Sequence, residues 1–203
     1  VISTSWGLCE PQEGTTNAAA ENTLFQEAAV QGQSIVAASG DSGAQDCAPS
    51  GGLAVDDPAS QPFVTGVGGT KLSAIGPPPS ETVWNEAANP AGPLGASGAG
   101  VSSIWPMPPY QSSAPPALYV INPGSSGAPC QAPAGACREV PDVSANADPY
   151  TGQAIYFSGT WGSIGGNSVA APTLAALLAL SHASPGCAGP PIGFTNNVLY
   201  LAA

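Results

Sequence analysis

The sequence predicts an α/β fold in which a parallel sheet is flanked by helices and elaborated by long Gly/Pro-rich loops. Two observations lead to this prediction. The first third of the chain alternates a strand pattern, a helix pattern and a second strand pattern, which is a βαβ unit. The 203 residues include 26 Gly and 23 Pro together with 43% hydrophobic residues, which indicates many loops on a packed core.

The βαβ unit begins with residues Val1–Gly7, which we expect to form a buried strand. After a turn over Glu10–Gly14, Thr15 or Thr16 caps a predicted helix that runs to about Gln31 and ends at Gly32. A short buried strand is predicted over Ser34–Ser39. The predicted inner face of the helix consists of Leu24, Phe25, Ala28 and Ala29.

Loops at the carboxyl ends of parallel strands form the sites of open α/β sheets. Two such loops are predicted here, Ser5–Gly7 and Ser39–Gly43. The remaining predicted elements, in order, are a strand over Pro62–Thr70, an elaborated loop region over 76–135, a strand over Ala154–Phe157, an apolar helix that starts near Ser168, and a helical tail over Gly193–Ala203.

The charge of the chain is strongly one-sided. It has 2 Lys+Arg against 13 Asp+Glu, a net charge of −11, and only 7% charged residues. A basic footprint for nucleic acid is therefore absent. Such a chain also avoids the positive self-repulsion that drives acid unfolding. Composition alone leaves open whether the protein is adapted to acid or is a generic acidic extracellular protein.

Five cysteines indicate an oxidising compartment. Cys130 and Cys137 bracket a short loop and are predicted to form a local disulfide, Cys9 and Cys47 could pair, and Cys187 is left over. No cysteine or histidine spacing predicts a zinc site. No apolar run approaches the 18 residues of a membrane span, and the first residues have the pattern of a strand and not that of a signal peptide. Because the chain starts inside a predicted strand, we expect a C-terminal part of a longer or cleaved protein.

Ser168 follows Gly165-Gly166-Asn167 and precedes Pro172 at the start of the apolar helix. Serine is a common N-cap, and these residues alone favour that role. The alternative role is a nucleophile, because glycines admit a substrate closely and a helix N-terminus stabilises developing negative charge.

A serine nucleophile needs a base, and the single histidine, His182, does not qualify. It lies 182 − 168 = 14 residues further along the helix, about 20 Å away at 1.5 Å per residue. A carboxylate base would also suit acid, where imidazole is protonated and a carboxyl is partly ionised.

Five stretches, in order, resemble the sedolisin or serine-carboxyl peptidase family, especially its kumamolisin-like members. They are Ser5–Gly7, Ala38–Gly43, Asp57–Thr70, Pro141–Pro149 and the Ser168 motif. They are spread over most of the chain, from Ser5 to Pro172. The resemblance implies a subtilisin-like α/β fold, of which residues 1–203 would be the C-terminal portion of a single, truncated catalytic domain.

The resemblance also implies roles for individual residues. Ser168 matches the nucleophile, and Asp41 matches the oxyanion-hole aspartate, with the Ser168 backbone N–H as the second donor. A carboxyl can donate to an oxyanion only while protonated, which ties activity to low pH. Ser5, Trp6 and Gly7 match the strand that binds substrate by β-augmentation. Asp142 and Asp148 are interpreted as loop-structuring carboxyls.

The chain departs from the family pattern at three points. Asn167 stands where the family usually has Thr, and we expect it to alter the rim of the site. The catalytic Glu and Asp of the family lie on a helix before the Ser5–Gly7 strand, and Glu21 and Glu27 are wrongly placed to replace them. The calcium site of the family follows the point where this sequence stops, so no metal ligand is expected in this chain.

The predicted function is therefore that of a secreted, acid-acting endopeptidase that cleaves polypeptides through an acyl-enzyme on Ser168. An N-terminal chain or segment would supply the carboxylate base pair, and this chain alone would be inactive. The alternative is a secreted, non-catalytic binding or scaffold relative on a peptidase fold. Neither nucleic acid nor a membrane is expected as a partner.

Overall fold

A computed structural model describes residues 1–47, 52–86, 95–133, 135–184, 186 and 192–203. The strands are β1 Ile2–Thr4, β2 Leu8–Cys9, β3 Ile35–Ala38, β4 Asp56–Asp57, β5 Thr65–Ala74, β6 Ser80–Val83, β7 Gly100–Pro106, β8 Cys137–Val140, β9 Val143–Asn146, β10 Gln153–Phe157 and β11 Thr160–Ile164. The helices are α1 Glu10–Val30, α2 Pro109–Ser112, a 3₁₀ turn Pro116–Leu118, α3 Asn167–Ala183 and α4 Asn196–Ala202.

The central sheet is mostly parallel, which confirms the predicted fold class. β3 pairs in parallel with β1 on one side and with β5 on the other, and the far side of β5 pairs in parallel with β9. β6 pairs antiparallel with the C-terminal part of β5. All four residues of β3 are buried, as expected for a strand covered on both faces. The first third of the chain thus folds as the predicted βαβ unit.

Helices pack on the sheet around two apolar clusters. One joins α3 to the centre of the sheet and contains Val36, Val67, Trp84 and Leu174. The other lies under α1 and contains Ala28, Ile35, Val55 and Val64. None of the helices in the described part of the chain is long and apolar enough to cross a membrane.

Two details of the predicted βαβ unit are wrong. β1 is an edge strand and is not buried, because Ile2 is 48% exposed and only β3 pairs with it among the described residues. Leu24 is 63% exposed. The covered stripe of α1 runs through Ala18, Phe25 and Ala28 at helical spacing, and Leu24 lies about 100° away from Phe25 around the axis.

The end of α1 follows the prediction, while its beginning needs a refinement. Gly14 has φ +77° and ψ 152° and interrupts the helical backbone, so a short helical turn precedes the long helix. This matches the predicted turn over Glu10–Gly14 and the predicted helix after it. Gly32, with φ +76°, follows the end of the helix as expected.

Both predicted disulfides are present. Cys9 pairs with Cys47, and Cys130 pairs with Cys137. The first links the start of α1 to the loop after β3, and it therefore fixes one wall of the region beyond the sheet. Cys187 lies outside the described residues.

Candidate active site

The carboxyl ends of β1 and β3 and the start of α3 meet around one open cavity of about 310 Å³. It is lined by the predicted site residues Ser5, Trp6, Gly7, Asp41 and Ser168, together with Asp46 and Asp56 among others. The structure therefore brings every predicted site residue to one place, although they come from three separate parts of the sequence.

Ser168 lies in the first turn of α3 and is exposed. It is not the N-cap, as the sequence alone favoured, because that position is held by Gly166, with φ +100°. N–H groups of a first helical turn have no partner within the helix, and the N-terminal end of a helix carries partial positive charge. Ser168 is thus placed where an anion forming beside its hydroxyl would be stabilised.

Gly166 is required here by both conformation and space. Its φ of +100° disfavours any other residue, and a Cβ atom at this position would lie only 2.7 Å from Oδ2 of Asp41. The absence of a side chain lets Asp41 approach the start of α3. The polar turn before Ser168 therefore serves to admit a carboxyl group.

Asp41 is bound to this turn by one of its two oxygens. Its Oδ1 accepts a hydrogen bond from the backbone N–H of Asn167 at 2.6 Å. Although Asp41 is accessible from the cavity, the surrounding protein partly desolvates its carboxyl group and raises its pKa, while the Asn167 N–H acts in the opposite direction. The net shift favours the protonated acid, and Oδ2 is the oxygen left to carry the proton.

Asn167 is fully buried beneath the site, so its side chain does not itself form part of the rim that we expected it to alter. Its Nδ2 donates to the hydroxyl of Ser39 at 3.0 Å and to the carbonyl oxygen of Gly40 at 2.7 Å. The side chain thus ties the turn before Ser168 to the loop that carries Asp41. Sequence reasoning missed this role because the two loops are 126 residues apart.

The segment Ser5–Gly7 lies against the start of α3. The hydroxyl of Ser5 donates to the carbonyl oxygen of Ser168 at 3.0 Å, and Trp6 is 88% exposed beside the cavity. β1 leads into this segment and has an unpaired edge among the described residues. An extended peptide could add to such an edge.

Two further carboxyl groups in the cavity wall were not singled out from the sequence. Burial, with the nearby charges of Asp56 and Asp41, raises the pKa of Asp46 to about 7. Burial, with the charge of Asp41, raises the pKa of Asp56 to about 6. Their only sequence signal is proximity to matched motifs, since Asp46 follows Asp41 by five positions and Asp56 directly precedes the Asp57–Thr70 stretch.

The resemblance also implies a base beside Ser168 and a metal site in the whole protein. Among the described residues no side chain hydrogen-bonds to the Ser168 hydroxyl, and His182 is in the last turn of α3, at the opposite end from Ser168. No group of three His, Cys, Asp or Glu side chains in the described ranges could hold a metal ion. A calcium site elsewhere in the whole protein stays a prediction.

Asp142 and Asp148 lie in structural contacts, in agreement with their interpretation. Asp142 pairs with Arg138 at 2.7 Å, and its Oδ2 accepts the Gly66 backbone N–H at 2.8 Å. Asp148 accepts the Tyr150 N–H and pairs with Lys71.

Comparison with known proteins identifies clear relatives. The chain matches no protein-family model. It is 41% identical to kumamolisin from Bacillus sp. (strain MN-32) over 98% of its own length, and 38% identical to sedolisin from Pseudomonas sp. (strain 101) over 94%. The chain spans about a third of the length of these curated relatives, 33% and 31% respectively.

A solved structure gives the same result. The structure of the Pseudomonas sedolisin, a serine-carboxyl proteinase in complex with two molecules of pseudo-iodotyrostatin, superposes with a TM-score of 0.78 at 33% identity. The match covers 99% of this chain and 52% of the sedolisin chain. The similarity therefore extends over sequence and fold together.

Proposed function

Because this chain belongs to the sedolisin family, we propose that it forms part of the active site of an acid-acting serine endopeptidase. The relatives are serine-carboxyl peptidases, which supports a peptidase rather than a binding module. The observation that carries the proposal is the joint position of Ser168 and Asp41 at the start of α3, facing the cavity beside Ser5–Gly7.

In this proposal an extended substrate lies along Ser5–Gly7, with its scissile carbonyl group above Ser168. The Ser168 oxygen attacks the carbonyl carbon, its proton passes to a carboxylate base, and a tetrahedral oxyanion forms. As the intermediate collapses, the base returns the proton to the departing nitrogen, so that the amine leaves and an acyl-enzyme remains, which water then hydrolyses. The base would come from a Glu and Asp outside this chain.

Two donors would stabilise the oxyanion. One is the Ser168 backbone N–H in the first turn of α3, and the other is the protonated Oδ2 of Asp41. Because Oδ1 accepts the Asn167 N–H, Oδ2 is the oxygen that would carry the proton and donate to the oxyanion. Ionisation of Asp41 would replace a donor by a negative charge, so activity would be lost as pH rises.

The two disulfides favour an extracellular setting for the protein, and polypeptides are the proposed substrates. The proposal is tested on the whole protein by following casein cleavage from pH 3 to pH 8 for the wild type, Ser168→Ala and Ser181→Ala. Ser181 is the matched control, because it lies on the same helix and its hydroxyl donates to the Leu177 carbonyl oxygen within that helix.

We expect cleavage in acid that Ser168→Ala abolishes and Ser181→Ala preserves, with an acyl-enzyme mass on wild-type protein quenched during turnover. Cleavage that survives Ser168→Ala, or that is highest at neutral pH, would contradict the proposal. A folded whole protein without any cleavage would instead favour the non-catalytic binding relative.

A further inference from the structure

We propose that Glu21 and Asp57 share one proton and form a pH-sensitive latch, which holds helix α1 against strand β4 in acid and opens as the pH rises. The latch is a property of the fold and holds whether or not the peptidase proposal is correct. Its effect on substrate binding alone rests on the proposed function.

The first support is the contact between the two carboxyl groups. Asp57 is only 3% exposed, and its carboxyl group lines one cavity with that of Glu21 on α1, close enough for a hydrogen bond between the two groups. A carboxylate can only accept hydrogen bonds, so a bond between two carboxyl groups requires a proton on one of them. The contact therefore exists only in the singly or doubly protonated state of the pair.

The second support is that both basic side chains of this chain pair with other carboxyl groups. Lys71 pairs with Glu86 and Asp148, and Arg138 pairs with Asp142. His182 is in the last turn of α3. Within the described residues, neither Lys71 nor Arg138 forms an ion pair with Asp57.

The groups that face Asp57 from the surrounding elements are acidic or neutral. Glu21 and Glu13 of α1 line a cavity of about 470 Å³ together with Asp57, and Glu10 acts on it through its charge. Gln61 donates from Nε2 to Oδ2 of Asp57 at 2.8 Å and to the carbonyl oxygen of Ala18 at 3.0 Å. β2, which pairs with β4, brings only Leu8 and Cys9.

Electrostatics give the direction of the pH effect. Burial, the Glu21 contact and the Glu10 charge raise the pKa of Asp57 from 3.8 to about 8, although Gln61 lowers it. The folded state therefore binds this proton more tightly than the unfolded chain does. Its stabilising contribution is complete below about pH 4 and is lost progressively as the pH rises towards 8.

The latch is connected directly to the candidate active site. Leu8 pairs with Asp57 and Cys9 with Asp56 in the two-residue ladder of β2 and β4, and β2 directly follows Ser5–Gly7. Consecutive strand residues face opposite sides, so Asp57 faces α1 while Asp56 faces the cavity beside Ser168. Opening of the latch would free β4 from α1 and thereby loosen the support of Ser5–Gly7, the segment proposed to bind substrate.

The test compares thermal unfolding of the whole protein at pH 4.5 and pH 8 for the wild type, Asp57→Asn, Glu21→Gln and Glu27→Gln. Asparagine keeps an acceptor for Gln61 and a donor for Glu21 at every pH, so Asp57→Asn imitates the protonated acid. Glu27 is exposed on the same helix and is the matched control.

We expect Asp57→Asn to unfold within about 2 °C of the wild type at pH 4.5 and at least about 4 °C above it at pH 8. Glu21→Gln should shift in the same direction, and Glu27→Gln should follow the wild type at both pH values. In the wild type, the amide protection factors of Leu8 and Asp57 should fall over the same pH range.

Two results would overturn the latch. One is a pH dependence of Asp57→Asn and Glu21→Gln equal to that of Glu27→Gln. The other is an equal loss at both pH values, which would show a purely structural contact. A carboxyl ¹³C titration of Asp57 in the wild type decides the case if a variant does not fold, because a midpoint below pH 5 excludes a shared proton. None of these measurements depends on catalysis.

Discussion

The backbone N–H of Asn167 donates to Oδ1 of Asp41 at 2.6 Å, across 126 residues of sequence. As a result of this bond, the two oxygens of the carboxyl group have different surroundings. Oδ1 fixes the position of the group at the start of α3, while Oδ2 lies beside Gly166 and takes no part in this bond. In the proposed mechanism the same aspartate holds the turn that presents Ser168 and donates a hydrogen bond to the oxyanion.

The different surroundings of the two Asp41 oxygens predict the effect of the substitution Asp41→Asn. In Asp41→Asn the amide oxygen can accept the Asn167 N–H, and the amide nitrogen donates towards the cavity at every pH. We expect Asp41→Ala to lower kcat by about 10²- to 10³-fold, as for loss of one oxyanion donor, and Asp41→Asn to lower it less. The measurement is kcat of peptide cleavage by the whole protein from pH 3 to pH 8.

The pH dependence of kcat tests the role of Asp41 more directly than the size of kcat does. The wild type should lose activity on the alkaline side as Asp41 ionises, since its raised pKa places this loss above the usual range of an aspartate. In Asp41→Asn that loss should move to higher pH. An identical alkaline limb in both proteins would assign the limb to another group.

Because the amide group of Asn167 is buried and hydrogen-bonded, its removal should lower the stability of the protein more than removal of the exposed amide group of Asn197. Asn167→Ala removes the donors to Ser39 and Gly40 and leaves their oxygens without that partner, which should cost about 1–3 kcal/mol. Asn167→Thr, which restores the usual family residue, should lie between alanine and the wild type. Urea unfolding at pH 4 measures the effect, with exposed Asn197→Ala as the control.

A loss for Asn167→Ala no larger than that for Asn197→Ala would show that these two hydrogen bonds contribute nothing net. A reduced kcat with unchanged stability would show a different role, in which the amide positions Asp41 without supporting the fold.

The parts of the structure that the sequence predicted correctly are those set by local pattern. The apolar run over Ser34–Ser39 and the helical periodicity before it give β3 and the long part of α1, because burial requires those spacings. The matched motifs predicted that Ser168 and Asp41 belong to one site, and both residues line one cavity, while their catalytic roles stay a prediction. Gly32 follows the end of α1 because glycine readily adopts the left-handed backbone conformation, here with φ +76°, in which many helices end.

The parts that the sequence did not predict depend on contacts between distant segments. Nothing local distinguishes a buried Asn167 from one at the rim, because its partners are contributed by the loop after β3. The exposure of Leu24 depends on which side of α1 meets the sheet. Asp46 precedes Cys47 of the Cys9–Cys47 disulfide, and Asp56 lies in β4. The two side chains line the same cavity only when these segments pack together in the fold.

The buried pair of Arg138 and Asp142 predicts one of the largest single-residue effects on stability. The Arg138 guanidinium is fully buried and donates to Asp142 and to the carbonyl oxygens of Ala59, Ser60 and Val64. Arg138→Met leaves the Asp142 carboxylate without its cation, at a cost of about 3–5 kcal/mol. Urea unfolding at pH 6 measures it.

The matched test of this explanation is the double variant Arg138→Met/Asp142→Asn. Removing the negative charge as well should recover part of the loss, because the main penalty of the single variant is an unpaired buried charge. A double variant less stable than Arg138→Met would show that the hydrogen bonds from Gly66 and Tyr200 to Asp142 need its charge.

The two disulfides predict unequal losses of stability because they close loops of different length. Cys9 and Cys47 are separated by 38 positions, and Cys130 and Cys137 by 7. By loop-closure entropy, Cys9→Ala/Cys47→Ala should cost about 4 kcal/mol and Cys130→Ala/Cys137→Ala about 2 kcal/mol. Only the first pair borders the cavity, since Cys9 lines it, so only that variant should also raise KM. Urea unfolding of the whole protein measures the loss of stability, and peptide cleavage measures KM. Equal losses of stability for the two double variants would mean that the disulfides stabilise native contacts instead of restricting the unfolded chain.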